Sequence, residues 1–269
     1  FFNIQTTPYA DSIVENDISE LLVATRSGRL WYTTETEPGI NCLSVEFDSE
    51  LKSPPPANHF EHDPIDEKSI ADNNITDFIE DSAGHIWIGT GQNGISFLSF
   101  VKSKFTHHRY DQENEWGLKS DKIYSITTMT DGMIWAATGF GLEMLSPDGI
   151  REYDYEKSVL GVNYIIDLEI VNDENLWVGT DQGVLKINTM TDMITRFSKS
   201  DTIPESRRLA DNLIHDILPI NDKIWVATGS GVVIIDTSSN NVTNFSSDLI
   251  ARVITPVSYT HLRAHETPL

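Results

Sequence analysis

Five tryptophans, each preceded by Leu or Ile, recur at intervals that point to one repeated unit. They are Trp31, Trp87, Trp135, Trp177 and Trp225, spaced by 56, 48, 42 and 48 residues. A period of this length signals a chain built from copies of one supersecondary unit, none of which can bury its apolar face alone. The flanks repeat too. Ile86-Trp87-Ile88-Gly89-Thr90 corresponds to Ile134-Trp135-Ala136-Ala137-Thr138, Leu176-Trp177-Val178-Gly179-Thr180 and Ile224-Trp225-Val226-Ala227-Thr228, while Leu30-Trp31-Tyr32-Thr33-Thr34 is a looser copy. Three or four residues after the threonine comes Gly94, Gly141, Gly183 or Gly231, followed by a second apolar alternation such as Val184-Leu185-Lys186-Ile187.

A further block precedes each tryptophan by eleven to thirteen residues: Ile18-Ser19-Glu20-Leu21, Ile75-Thr76-Asp77-Phe78, Ile123-Tyr124-Ser125-Ile126, Ile165-Ile166-Asp167-Leu168 and Ile214-His215-Asp216-Ile217. Between the blocks lie Gly, Asn and Asp, which accept the backbone angles of tight hairpin turns. Short runs rich in β-branched and aromatic residues, alternating with a period of two, read as strands rather than helices. A more variable fourth strand is expected at 105–110, 150–155 and 194–197. Four strands per repeat make one blade of a β-propeller. The expected fold is therefore all-β: a propeller of four-stranded antiparallel blades, with five repeats plus the start of a sixth, forming an incomplete ring. The repeated Trp should be buried at the same place on each second strand. The stretch from Pro54 to Asp66, with its prolines and histidines, reads as a surface excursion between the first two blades.

Residues that recur in every blade do the same packing job in each, so specificity must come from residues that differ between blades. If the strands run down, up, down, the turns between second and third strands share a face with the entries to the first strands. Gln92, Asn93, Phe140, Asp181, Gln182 and Ser230 come from those turns; Asn73, Asn74, Asp121, Asn163, Tyr164, Asp211 and Asn212 come from the entries. Amides, carboxylates and two aromatic rings suit a hydroxyl-rich ligand. The candidate ligand-binding residues are Gln92, Asn93, Phe140, Asn163, Tyr164, Asp181, Gln182 and Asn212. Asn and Asp are also simply common in turns, which is the competing structural reading.

Chemistry-bearing motifs are thin. His59 and His62 flank Phe60-Glu61 with no third metal ligand at hand, and the adjacent His107 and His108 point to opposite faces of a strand. Residues 111–115 lack the glycine and terminal glutamate of a calcium loop. No phosphate-binding loop, dinucleotide fingerprint or nucleophile elbow is present. No catalytic residue, metal or cofactor is expected. The net charge of −22 disfavours nucleic acid as a partner. Cys42, the only cysteine, excludes an intrachain disulfide. No apolar run reaches the length of a membrane-spanning helix.

The units Asp81-Ser82-Ala83-Gly84-His85-Ile86-Trp87-Ile88-Gly89-Thr90 and Asn175-Leu176-Trp177-Val178-Gly179-Thr180-Asp181-Gln182-Gly183-Val184 resemble the two-component regulator propeller repeat. The resemblance spans roughly residues 15 to 254. It implies the extracytoplasmic sensor region of a hybrid two-component system of Bacteroidetes-type bacteria, in which such propellers precede a membrane helix and a histidine kinase. It further implies a periplasmic location, an oligosaccharide ligand and a homodimer of the full-length protein. The family's ligand residues vary, so none is carried over. Two other readings stand beside it: a propeller lyase related to streptogramin lyase, which would need His and Glu over the central face, and a protein-interaction scaffold. The chain starts at Phe1 and reads as a piece of a longer protein. Residues 1–255 are expected to form the partial propeller. From about residue 256 the string Val257-Ser258-Tyr259-Thr260-His261-Leu262 breaks the repeat and resembles translated adaptor sequence, so residues 256–269 are expected to be a non-native tail.

Overall fold

The computed structural model describes residues 18–24, 29–34, 38–44, 57–99, 104–111, 113, 117–146, 151–156, 160–162 and 164–246. Their strands fall into five four-stranded antiparallel sheets, each a run of consecutive strands. The first blade is β1 (Ile18–Ala24), β2 (Arg29–Thr34), β3 (Ile40–Ser44) and β4 (Ala57–Phe60). The second is β5 (Ile75–Glu80), β6 (Ile86–Thr90), β7 (Ile95–Ser99) and β8 (Lys104–His108). The third is β9 (Ile123–Thr128), β10 (Ile134–Thr138), β11 (Gly141–Leu145) and β12 (Arg151–Glu156). The fourth is β13 (Ile165–Val171), β14 (Asn175–Thr180), β15 (Gly183–Asn188) and β16 (Ile194–Phe197). The fifth is β17 (Ile214–Ile220), β18 (Lys223–Thr228), β19 (Gly231–Asp236) and β20 (Val242–Ser246). First strands are neighbours across blade boundaries, β5 beside β9, β9 beside β13 and β13 beside β17, and so form the inner wall.

The tryptophans show how blades stack. Trp31 is buried with Ile70, Phe78, Ile86 and Ile88 of the following blade. Trp87 lies with Leu118, Ile123, Ile126 and Ile134, Trp135 with Ile165, Leu168 and Leu176, and Trp177 with Ile214, Ile217 and Ile224. Each ring therefore crosses a blade boundary, filling the gap that two twisted sheets leave between them. Trp225 departs from the expectation of uniform burial, being only half-buried. Its ring is on the last described blade, and no later repeat among the described residues covers it.

The repeated Thr and Gly close one turn. Thr180 Oγ1 donates to the carbonyl of Gly183 at 2.7 Å and accepts the Gln182 N–H at 3.0 Å. Thr90, Thr138 and Thr228 make the same bond to Gly94, Gly141 and Gly231. Gly183 has φ +110°, and a Cβ there would lie 2.2 Å from the carbonyl oxygen of Phe197 on the fourth strand. Only glycine fits both the angle and the close approach.

The stretch read as a surface excursion carries a blade strand instead. β4 pairs with β3, and Phe60 stacks on Trp31 with ring centroids 5.7 Å apart. Proline, as at Pro54, Pro55 and Pro56, punctuates the approach to an edge strand as readily as a loop. The start of a sixth repeat after 246 and the tail 256–269 lie outside the described residues. Among the described residues no helix is long and apolar enough to cross a membrane.

Candidate functional site

The expected face exists as a hydrogen-bonded rim. In four blades the turn after the second strand is tied to the entry of the first: Gly91 N–H to Asn74 O, Gly139 N–H to Lys122 O, Asp181 N–H to Tyr164 O, and Gly229 N–H to Leu213 O, all between 2.8 and 3.2 Å. Several of the polar side chains named from the sequence serve this junction. Asn93 Nδ2 donates to Asp72 at 3.0 Å, Asp181 Oδ1 accepts the Tyr164 N–H at 3.2 Å and Ser230 Oγ donates to Asp211 at 2.8 Å, whereas Asn212 Oδ1 accepts the Lys199 N–H at 2.6 Å and ties the entry of the fifth blade to the exit of the fourth. Gln92 and Gln182 are exposed, Phe140 is half-buried and Tyr164 is 58% exposed. Asn163 lies outside the described residues. Tyr164 and Leu213 precede their first strands at the same register, so the rim carries two exposed apolar side chains beside its amides and carboxylates.

A second feature is not among the residues expected from the sequence. The inner wall carries an open cavity of about 400 Å³ lined by residues 77–80, 125–128, 167–169 and 216–218. Because each first strand runs inward from the rim, this cavity occupies the half of the channel away from it. The register of the first strand shifts between Ile75 and Asp77, between Ile165 and Asp167 and between Ile214 and Asp216, and also opposite Ala137 and Thr138 in the third blade. Such bulges re-aim the residue that follows. They turn Asp77, Ser125, Asp167 and Asp216 toward the channel, while Phe78, Ile126, Leu168 and Ile217 enter the core between blades.

The aspartates bond across blade boundaries. Asp77 Oδ1 accepts its own neighbour's N–H at Phe78 (2.8 Å), and Oδ2 accepts the Ile126 N–H of the third blade (2.7 Å). Asp167 repeats this with Leu168 (2.9 Å) and Ile217 of the fifth blade (2.8 Å). Burial pushes the Asp77 carboxyl up to about 6 despite these donors. Burial and then the charges of Asp216 and Asp77 push Asp167 up to about 8. Burial, followed by Asp167, Asp77 and Asp216, pushes Glu169 up to about 9. These side chains keep some exposure to the channel, which four inner strands line. The signal was present in the sequence as a polar residue at the third place of each apolar block; periodicity alone does not say that this place faces a shared channel.

The four histidines singled out in the sequence are committed elsewhere. His59 Nδ1 is 2.9 Å from Asn41 Oδ1, and His62 Nδ1 is 2.8 Å from the carbonyl of Ile70. His107 bonds Ser96, while His108 stacks on Trp87 from the other face of the strand. No histidine lines the channel cavity, and no group of three or more His, Cys, Asp or Glu suited to a metal ion occurs among the described residues.

The family model for the two component regulator propeller matches residues 69–92, the entry to the second blade through the turn after β6. The chain carries that repeat. No curated protein matches the chain. Among solved structures it is similar to the extracellular domain of BT3049 from B. thetaiotaomicron, a protein assigned as a hybrid two component system, with TM-score 0.66 and 20% identity over 87% of this chain and 31% of that one. The extracellular domain of BT4673 from the same organism gives TM-score 0.66 and 20% identity over 86% and 31%. A catalytically inactive virginiamycin B lyase from Staphylococcus aureus, solved with quinupristin, gives TM-score 0.58 and 20% identity over 85% and 69%. The chain thus spans less than a third of the two extracellular domains it resembles. At this identity the likeness establishes the propeller fold.

Proposed function

We propose that this chain is part of the extracytoplasmic ligand-sensing region of a hybrid two-component system, placed in the periplasm, and that its ligand is an oligosaccharide. The observation that carries the reading is the rim. There Tyr164 stands 58% exposed beside Asp181 and the exposed Gln182, and a sugar ring needs an aromatic platform flanked by hydrogen-bonding groups. The bonds that hold Asp181, Asn93 and Asn212 orient them before a ligand arrives, which lowers the ordering cost of binding. The family repeat and the likeness to two extracellular domains of assigned hybrid two-component systems support the sensor role. Binding would signal only if the two states of the receptor, a homodimer in the full-length protein, differ in affinity.

The lyase reading rests on the similar fold of virginiamycin B lyase. Against it, the described residues of the channel offer carboxyls and no histidine. The test is titration calorimetry of the complete ectodomain against a panel of glycan fragments, repeated with Tyr164→Ala and Gln182→Ala. Weakened binding of one glycan by tenfold or more in both variants is the expected result. Affinity unchanged in both variants would remove the rim assignment. Ring opening of quinupristin by the wild-type protein would establish the lyase reading in its place.

A further inference from the structure

Ser125 stands between two carboxyls that belong to the blades on either side of it. Its Oγ lies 3.0 Å from Asp77 Oδ2 and 3.1 Å from Asp167 Oδ1, and the Leu168 N–H approaches the same oxygen at 3.3 Å. A serine hydroxyl has one proton to donate. With both carboxyls ionised it can serve only one of them, and the other then meets a hydroxyl lone pair at hydrogen-bond distance. One additional proton resolves the conflict: a protonated carboxyl donates to Ser125, and Ser125 donates to the remaining carboxylate.

Position decides which carboxyl holds that proton. Both accept two backbone N–H bonds, so backbone donors do not separate them. Their neighbours do. Asp167 shares β13 with Glu169 and bonds the Ile217 N–H next to Asp216 of β17, whereas Asp77 bonds the Ile126 N–H next to the uncharged Ser125. We propose that Asp77, Ser125 and Asp167 hold one proton in common, carried by Asp167 and relayed through Ser125 to Asp77, and that this proton locks the inner strands of the second, third and fourth blades together.

Among the described residues of the lining no cation offsets the charge of these carboxylates. The cavity receives Asp77 and Glu80 from β5, Ser125, Thr127 and Thr128 from β9, Asp167 and Glu169 from β13, and Asp216 from β17; its lining includes no Lys, Arg or His. Glu20 holds the same register in the first repeat, and its side chain lies outside the described residues. The upward displacement of Asp167, caused first by burial and then by like charge, agrees with the assignment. A carboxyl that is harder to ionise folded than unfolded takes up a proton on folding. Unfolded carboxyls titrate near 4. The stability that this proton contributes is therefore fully present below about pH 4 and is lost as pH rises toward about 9, the reverse of the usual salt-bridged aspartate. The clamp makes the spacing of three blades sensitive to external pH, whatever ligand the rim takes.

The experiment is the thermal midpoint of the chain from about pH 5 to about pH 9, for wild type, Asp167→Asn, Asp77→Asn and Glu169→Gln. Asn at 167 keeps a carbonyl acceptor and presents an NH2 that can donate to Ser125, imitating the protonated state. Its midpoint should exceed wild type at the alkaline end, and its fall with pH should shrink by about half or more. Asp77→Asn sets a donor where the relay ends and should lower the midpoint at every pH. Glu169→Gln should remove its own share of the slope and leave the Asp167 share. Carboxyl 13C NMR of wild type keeps the question open to decision if a variant fails to fold: one member of the Asp77–Asp167 pair should titrate above neutrality and the other below it. Two carbons that both titrate in the ordinary carboxylate range, or an Asp167→Asn slope equal to wild type, would overturn the shared proton.

Discussion

Trp87 and Trp225 hold the same place in their repeats, yet Trp87 is 0% exposed and Trp225 is only half-buried. Trp87 is enclosed by Leu118, Ile123 and Ile126 of the next blade, whereas no later repeat among the described residues encloses Trp225. Burial across the boundary, not the residue itself, sets what each ring contributes. Trp87→Ala should cost about 3–5 kcal/mol. Trp225→Ala should cost less, about 2–3 kcal/mol, since part of its surface already faces solvent. Urea unfolding of the two variants checks this. Equal losses would mean that the Trp225 face is covered in solution.

The spacing of the tryptophans and the glycine after each threonine were enough to read the blades, because these residues perform the same local task in each copy. The rim was legible for a related reason: up-and-down strands leave no other place for the turn after β6 and the entry to β5 to meet. Two things were not. β4 hid behind Pro54, Pro55 and Pro56, since local turn chemistry outweighs four residues of weak alternation. The channel carboxyls hid because Asp77, Asp167 and Asp216 are single polar residues within apolar blocks. Only the bulge before each one, a feature of strand pairing, turns them inward.

The turn that follows each second strand offers a sharper test than the tryptophans, because two substitutions of one atom group separate its parts. Thr180→Val keeps shape and loses the hydroxyl that donates to Gly183 O and accepts from Gln182 N–H. With Thr180 fully buried, the loss should be about 1–3 kcal/mol. Gly183→Ala should cost more, because its Cβ meets Phe197 O at 2.2 Å and its φ of +110° disfavours any side chain. Calorimetric unfolding of both variants should rank them in that order.

Asp81 gathers donors that nothing else can serve. At 2% exposure it accepts the N–H groups of Ala83 and His85 and the indole N–H of Trp87 at 3.0 Å, and the His85 ring nitrogen Nδ1 stands 3.1 Å from the same carboxyl. Asp81→Ala takes the acceptor from the buried indole N–H of Trp87 and from the part-buried N–H groups of the turn, and the expected loss is about 1–3 kcal/mol. Asp81→Asn retains one acceptor oxygen and should lose less. A thermal midpoint for Asp81→Ala within one degree or so of wild type would mean that water replaces the carboxylate.

Cys42 reports on the first blade without any mutation. The thiol is 3% exposed and belongs to the cluster that contains Trp31, Phe78 and Phe105. Burial pushes it up to about 11, with Arg29 pulling weakly the other way. A disulfide reagent attacks the thiolate and needs access to it, and both are suppressed here. In the folded chain at about pH 8 the reaction should therefore be slower than in the urea-unfolded chain by orders of magnitude, and its rate should measure opening of the boundary between the first two blades. Trp31→Ala removes the ring that fills that boundary and should speed labelling at least tenfold, whereas Trp177→Ala, three blades along, should change it little. Equal acceleration by the two variants would mean that the blades open together as one cooperative unit instead of boundary by boundary.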